Sequence, residues 1–116
     1  MDKKFYITTP IYYPSAKPHM GHAYSSIIAD FFARFKRMDG FDVQFLTGTD
    51  EHGLKIQRSA EKQNIDPLEF CNQISQTFRD LSKTLNLTNT DFIRTTEERH
   101  KKTVQHLWNE LEKNDD

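Results

Sequence analysis

The chain has 116 residues, of which 35% are hydrophobic and 12% aromatic, which is enough for one domain with a hydrophobic core. Sixteen lysines and arginines oppose seventeen aspartates and glutamates, and this net charge of −1 excludes a protein drawn to nucleic acid or membranes by its overall charge. A single cysteine, Cys71, excludes an internal disulfide framework, and the absence of a signal-peptide pattern or a long apolar run predicts a cytoplasmic protein without a membrane span.

The first predicted elements are a strand and a loop. Residues 5–9 are aromatic or β-branched without clean alternation, which is typical of a strand buried on both faces, and Pro10 ends it. The proline-rich segment 11–18 predicts a constrained loop, which leaves the carboxyl end of this strand and brings His19 to the same edge of the sheet.

A helix is predicted to begin at Met20. It is predicted to end before Gly40, because glycine readily takes the left-handed conformation of the residue that follows a helix. Apolar residues three or four positions apart predict its buried face, which comprises Ala23, Ile27, Ile28, Phe31, Phe32, Phe35 and Met38. A second strand is predicted at 42–46. Strand, helix and strand form a βαβ unit, so we expect the two strands to be parallel.

Two more helices are predicted after residue 53. Residues 54–63 favour the first. Asp66, Pro67 and Glu69 favour the start of the second, because an aspartate cap, a proline at the first position and an early acid are typical of helix starts. Its buried side is expected to comprise Leu68, Cys71, Ile74, Phe78, Leu81 and Leu85.

A short extended segment, Phe92 and Ile93, is predicted before a last helix. The sequence TTEE at 95–98 predicts a capping box at the start of that helix. We expect its buried side to comprise Val104, Leu107, Trp108 and Leu111. The order of elements predicts an α/β protein with a partial Rossmann-like nucleotide-binding fold, in which helices flank a parallel sheet.

The motif HMGH at 19–22 lies at the predicted start of the first helix. Its two imidazoles share one helical face, where free backbone N–H groups favour anions. The expected ligand is therefore a phosphate group. We expect Gly21 to let a flat base or ribose lie on bare backbone, and Met20 to point into the core. Two other interpretations of the motif stay open: histidines that only cap the helix, and a metal site completed by His52.

A second motif, TGTDEHG at 47–53, is predicted to follow the second strand at the edge of the sheet where parallel sheets bind ligands. Of its two adjacent carboxylates, we expect Asp50 to face inward and to bind an ammonium group. Glu51 and His52 are expected to organise the Asp50 turn through hydrogen bonds. Together the two motifs predict a site that binds a nucleotide and activates an amino acid.

Four segments give the chain a resemblance to the class I aminoacyl-tRNA synthetases, and within them to the methionyl-tRNA synthetase family. They are TTPIYY at 8–13, HMGH at 19–22, FLTGTDEHG at 45–53 and DFIRTT at 91–96, so the resemblance covers essentially the whole chain. The first and third segments indicate the methionine enzymes, whereas the second is common to class I synthetases and related nucleotidyltransferases. Met20 stands where that class usually has isoleucine or leucine, a volume-conserving departure.

The resemblance implies roles for individual residues. It implies that His19, Gly21 and His22 bind ATP, and that the two histidines are catalytic because they stabilise the transition state. Asp50 would pair with the α-ammonium group of methionine. The other methionine-binding residues that it implies are Pro10, Ile11 and Tyr13. The class motif region would comprise Tyr12, Tyr13, Pro14, Ser15, Ala16, Lys17, Pro18, His19, Met20, Gly21 and His22.

The implied function is that of a methionine–tRNA ligase, which uses ATP with Mg²⁺ to form methionyl-adenylate and then transfers methionine to tRNA(Met). Residues 1–116 would be the amino-terminal part of its catalytic domain. The rest of that domain with its lysine-bearing KMSKS loop, the anticodon-binding domain and the zinc knuckle of many members would lie beyond Asp116. The segment alone is therefore expected to be inactive or nearly so.

Three other functions stay open at the level of sequence. The first is another class I synthetase or a small nucleotidyltransferase, and the second is a non-catalytic domain that binds a nucleotide or a partner protein. The third is a metal hydrolase with His19, His22 and His52 as ligands. Tyr12 and Tyr13 have the alternative role of packing the loop onto the first helix. The sequence is compatible with a monomer or a homodimer.

Overall fold

Three parallel strands form the sheet of the computed structural model, which describes residues 3–114. The strands are β1 (Lys4–Thr8), β2 (Asp42–Thr49) and β3 (Asp91–Arg94), and the helices are α1 (Met20–Met38), α2 (Leu54–Lys62), α3 (Pro67–Thr84) and α4 (Glu98–Lys113). Strand β2 is central and pairs in parallel with both β1 and β3. The predicted fold class is confirmed. Within residues 3–114, no helix is long and apolar enough to span a membrane.

The central strand extends further than predicted. It continues through Thr49, so the first three residues of the TGTDEHG motif lie in the sheet and not in the loop that follows it. Gly48 permits this, because a Cβ there would collide with the backbone carbonyl oxygen of Ile93 in β3. The part of the motif outside the sheet, residues 50–53, is called the acidic turn below.

The loop after β1 is attached to the sheet through Tyr12. The backbone N–H of Tyr12 donates to the Gly48 carbonyl (2.9 Å), and the N–H of Asp50 donates to the Tyr12 carbonyl (2.8 Å). The Tyr12 side chain is buried; its hydroxyl hydrogen-bonds Ser26 Oγ in α1 (2.8 Å), and its ring stacks on Phe78 in α3. The packing role considered for Tyr12 is confirmed, and it holds the loop beside the acidic turn.

Helix α1 buries a different face from the one predicted. Its buried residues are Ser26, Ala29, Asp30 and Ala33. These side chains are small enough for the helix to approach β2 closely, where Ala33 packs in one cluster with Val43 and Phe45. Most of the predicted stripe is exposed instead; this surface, called the outer face of α1, comprises Ile27, Ile28, Phe31, Phe32, Phe35 and Met38. Met20, predicted to point into the core, is 84% exposed.

A buried aspartate explains the polar character of the packed face of α1. Asp30 Oδ1 accepts hydrogen bonds from the backbone N–H (2.7 Å) and hydroxyl (2.6 Å) of Thr88, and Oδ2 accepts one from Arg34 (2.7 Å). Burial alone would raise the pKa of Asp30, but the hydrogen bonds from Thr88 and Arg34 outweigh it and lower the pKa. This charged contact fixes α1 to the loop before β3.

Helix α3 begins as predicted. Asp66 caps it by accepting hydrogen bonds from the N–H groups of Leu68 and Glu69, and Pro67 occupies the first helical position. The predicted buried side is only partly correct, because Leu68 is 52% exposed. The buried residues are Phe70, Cys71, Ser75 and Phe78, of which Phe70 and Cys71 pack against α2.

Helix α4 differs most from its prediction. None of its residues is buried, and the predicted inner side is exposed: Val104, Leu107, Trp108 and Leu111. The predicted capping box is also wrong, since the cap residue is Glu97 and its side chain makes no capping hydrogen bond. The hydroxyls of Thr95 and Thr96 are engaged by Glu51 instead.

Candidate functional site

The HMGH motif forms a capped helix start, called the histidine turn below. His19 is the cap residue of α1, and its Nδ1 accepts a hydrogen bond from the Gly21 N–H (3.0 Å). His22 reaches back, and its Nδ1 accepts one from the His19 N–H (3.0 Å). The two rings stack with their centroids 3.9 Å apart. The histidines therefore do cap the helix, but the cap uses only Nδ1 of each ring, so it does not decide between a capping role alone and a role in binding.

The cap determines which nitrogen is available. Because each Nδ1 accepts a backbone N–H, a neutral ring carries its proton on Nε2, which becomes a hydrogen-bond donor. Burial lowers the pKa of His22, and the neighbouring His19 lowers it further. His22 therefore presents an uncharged N–H donor at neutral pH, which suits an oxygen of a phosphate group.

The structure shows why a glycine at position 21 suits the histidine turn, which the sequence did not reveal. A Cβ at this position would lie 2.8 Å from Cε1 and 3.1 Å from Nδ1 of His19. A side chain at this position would therefore require the His19 ring to shift. The contact of Gly21 with a base or ribose stays a prediction.

A cavity of about 330 Å³ lies beside the histidine turn. It is lined by Tyr13, Ser15, Ala16, Lys17, His19, His22 and Lys55. The class motif loop thus supplies most of its wall, and Lys55 adds a second cation from the first turn of α2. Sequence reasoning missed Lys55, although a lysine two residues after the TGTDEHG motif, at a helix start, was a usable signal. Two imidazoles and two lysines around one cavity suit a polyphosphate.

A larger cavity of about 550 Å³ lies elsewhere, between α3 and the segment that leads into β3. Its lining includes Arg79, Lys83 and Asn89 but none of the residues of the two motifs. Size therefore does not identify the site in this chain, and the smaller cavity is the chemically equipped one.

Glu51 is the buried carboxylate of the acidic turn. It is 4% exposed, whereas Asp50, which we expected to be the buried acid, is half-buried. The Glu51 carboxylate accepts four hydrogen bonds: two from Arg94 (2.7 and 2.9 Å), one from Thr49 Oγ1 (2.6 Å) and one from Thr96 Oγ1 (2.7 Å). Burial alone would raise the pKa of Glu51, but these hydrogen bonds, led by those from Arg94, lower it.

The backbone of the acidic turn is held as firmly as the Glu51 side chain. The Glu51 N–H donates to Thr95 Oγ1 (2.8 Å), and the Nε2 of His52 lies 3.3 Å from the Thr95 carbonyl oxygen. The expectation that Glu51 and His52 organise this turn is confirmed. Asp50 lies between these contacts and the bond to Tyr12, and its carboxylate takes part in none of the hydrogen bonds or ion pairs found within residues 3–114. A half-buried carboxylate without a protein partner in that range is free to bind a cation.

The predicted methionine-binding residues differ in whether they line the cavity. Tyr13 lines the cavity, and its hydroxyl lies so close to Gly53 that a Cβ there would collide with it. Gly53 also has a φ of 128°, in the region that only glycine adopts readily. Pro10 is exposed and Ile11 is 41% exposed, and neither lines the cavity.

The three histidines considered as metal ligands do not form one site. His52 faces Thr95, and within residues 3–114 no group of three or more histidine, cysteine, aspartate or glutamate side chains is arranged to hold a metal ion. Cys71 is not an additional nucleophile, because burial, with a smaller effect of Glu51, raises the pKa of its thiol to about 11.

Comparison with known proteins gives a consistent result. The family model for class I tRNA synthetases (M) matches residues 5–116. The mitochondrial methionine–tRNA ligase of Takifugu rubripes is 56% identical over 110 residues, which are 95% of this chain and 19% of that protein. The methionine–tRNA ligase of Bacillus subtilis is 54% identical over 112 residues, which are 97% of this chain and 17% of that protein.

A solved structure matches equally well. The Mycobacterium tuberculosis methionyl-tRNA synthetase bound by methionyl-adenylate has a TM-score of 0.96 to this chain at 43% identity, and the match covers 98% of this chain and 23% of that one. The chain therefore spans about a fifth of the length of the relatives that it matches.

Proposed function

Since the chain belongs to the family of class I tRNA synthetases (M), we propose that it is the amino-terminal part of the catalytic domain of a methionine–tRNA ligase. The complete enzyme binds ATP with Mg²⁺ as its substrate, forms methionyl-adenylate and transfers methionine to tRNA(Met). The observation that carries this proposal is that the histidine turn with its cavity and the free carboxylate of Asp50 both lie at the carboxyl end of one parallel sheet. Asp50 does not line the cavity itself; its backbone N–H is bonded to Tyr12 in the loop that does.

Amino-acid activation fits the groups at this site. The substrate carboxylate attacks the α-phosphorus of ATP, a P–O bond forms, and the bond to the departing pyrophosphate breaks. This reaction needs alignment and charge stabilisation more than a protein base. His19 and His22 donate Nε2–H hydrogen bonds to phosphate oxygens as negative charge grows on them. Lys17 and Lys55 add positive charge along the same cavity.

The amino acid is bound through its ammonium group. Asp50 offers a carboxylate that other side chains do not occupy, and its backbone bond to Tyr12 keeps it next to the class motif loop. Tyr13 supplies an aromatic edge for the thioether of methionine, a contact worth up to about 1.5 kcal/mol. Pro10 and Ile11, which are exposed here, complete the pocket together with parts of the enzyme outside this chain.

The proposal is tested by ATP–pyrophosphate exchange in a chimeric ligase, defined as the Bacillus subtilis enzyme in which this chain replaces the segment aligned with it. We expect exchange with methionine and none with the other amino acids. The matched control is the same chimera with Asp50→Asn, which keeps the shape of the side chain and removes its charge. Absence of exchange from a folded chimera would favour a non-catalytic domain that binds a nucleotide or a protein.

A further inference from the structure

The acidic turn holds two adjacent acids in opposite states. The Glu51 side chain is fully buried, and its two oxygens accept four hydrogen bonds, so it has no capacity left for a substrate. Asp50, one peptide bond away, is half-buried and has its carboxylate free of bonds to residues 3–114. Glu51 is therefore not available to bind a substrate itself.

The partner of Glu51 extends the contact to distant parts of the chain. Arg94 is the last residue of β3, and it binds Glu51 with both Nε and Nη2. The same Nη2 donates to Asn72 Oδ1 in α3 (2.7 Å), and the Arg94 backbone N–H donates to Glu97 at the start of α4 (3.1 Å). Arg94 thus links Glu51, the residue next to Asp50, to the end of β3, to α3 and to the cap residue of α4.

Charge gives the pair a second effect. Two neighbouring carboxylates repel each other, and the fixed Arg94 guanidinium neutralises the one that is buried. Asp50 is then the only carboxylate of the turn with unneutralised charge. Its position and its attraction for a cation both depend on the pair behind it.

On the basis of the proposed function, we propose that Glu51 and Arg94 are positioning residues, which hold the Asp50 carboxylate where it binds the ammonium group of methionine. Neither residue contacts ATP or the reacting atoms. The pair therefore sets the affinity for the amino acid, and it leaves the affinity for ATP unchanged.

The test compares four variants of the chimeric ligase: Glu51→Gln, Arg94→Gln, the double variant of both, and the control Asp30→Asn. The control breaks a buried charged contact of α1 outside the acidic turn. For each variant, ATP–pyrophosphate exchange gives KM for methionine, KM for ATP and kcat, and urea unfolding gives the stability. The double variant leaves no unpaired charge, so it should recover stability that the single variants lose.

We expect KM for methionine to rise by roughly tenfold to a hundredfold in all three variants of the pair, because small displacements of a binding group have effects of that size. KM for ATP should change less than about twofold. The Asp30→Asn control should lose stability and keep its KM for methionine.

Two results would overturn the inference while leaving the proposed function intact. One is a double variant with the unsubstituted KM for methionine, which would reduce the pair to a stabilising contact. The other is an equal rise of both KM values. No methionine-dependent exchange by the unsubstituted chimera would instead refute the proposed function, and the inference with it.

Discussion

The acidic turn and the outer face of α1 reverse the usual distribution of residue types. In the turn, Glu51 is buried together with its neighbours Thr49 and Thr95, and within the described residues no buried side-chain nitrogen or oxygen lacks a hydrogen-bond partner. On α1, large apolar side chains such as Phe31 are exposed, in this case by 66%. The buried polar groups of the turn therefore find all their hydrogen-bond partners within residues 3–114, whereas the apolar side chains of the outer face of α1 find no covering surface there.

The difference follows from the range of the two kinds of contact. The four hydrogen bonds that the Glu51 carboxylate accepts come from the ends of β2 and β3 and from the segment before α4. An apolar helix face needs a second surface of similar size, and this chain spans about a fifth of its relatives. In the proposed ligase, we expect parts of the enzyme outside this chain to cover the outer face of α1.

Of the substitutions that test this difference, Glu51→Gln should have the largest effect on stability. It leaves the Arg94 guanidinium without its buried counter-charge, and such a change costs about 3–5 kcal/mol. The free energy of unfolding of this chain, measured by urea titration, should fall by that order. A loss below about 1 kcal/mol, the value typical of exposed ion pairs, would show that the turn is solvated.

Substitutions in the histidine turn should have the second-largest effect. His19→Ala or His22→Ala in the chimeric ligase should lower the rate of ATP–pyrophosphate exchange by roughly 10² to 10³, or about 3–4 kcal/mol, because a donor to the transition state is lost.

Capping and phosphate binding are separable in this experiment. His19→Ser keeps a side chain that caps a helix and removes the Nε2 donor. It should be as inactive as His19→Ala and nearly as stable as the unsubstituted chimera. Full exchange activity in His19→Ser would restrict His19 to capping.

The buried carboxylates should make the stability of the chain fall at acidic pH. The pKa values of Glu51 and Asp30 are lowered from ordinary values of 4.5 and 3.8 by their hydrogen bonds, against the effect of burial. The unfolded chain therefore binds protons first, and stability that is present above those ordinary values is lost as the pH falls through the lower values of the folded chain. Unfolding followed by circular dichroism between neutral pH and strong acid should show this loss. The free energy of unfolding should depend less steeply on pH in Glu51→Gln. An equal dependence in the two proteins would show that Glu51 does not cause the loss.

The smallest effect should come from the outer face of α1. Phe31→Ser in this chain should change the free energy of unfolding by less than about 0.5 kcal/mol, because the side chain is already exposed. In the chimeric ligase the same substitution should cost several times more, as expected for a phenylalanine that a partner surface covers. Equal costs in the two proteins would mean that the outer face stays exposed.

Local patterns in the sequence were sufficient for the order of elements, the parallel sheet and the position of both motifs at its carboxyl edge. The reason is that these features depend on neighbouring residues: Asp66 and Pro67 start α3, and Gly40, with a φ of 85°, follows the end of α1. The histidine cap also lies within one turn, although only the structure showed that the His19 ring packs closely on Gly21.

Burial was decided by the tertiary structure. The alanines of α1 are buried because the helix lies close against β2. Periodicity alone predicted instead that the larger apolar side chains would be buried. Glu51 is buried in place of Asp50 because Arg94 lies 43 positions further along the chain and meets it at the end of β3. Thr95 and Thr96 serve that turn and not the helix after them. Periodicity and capping signals are local, whereas the surface that a side chain meets is set by residues far away in the sequence.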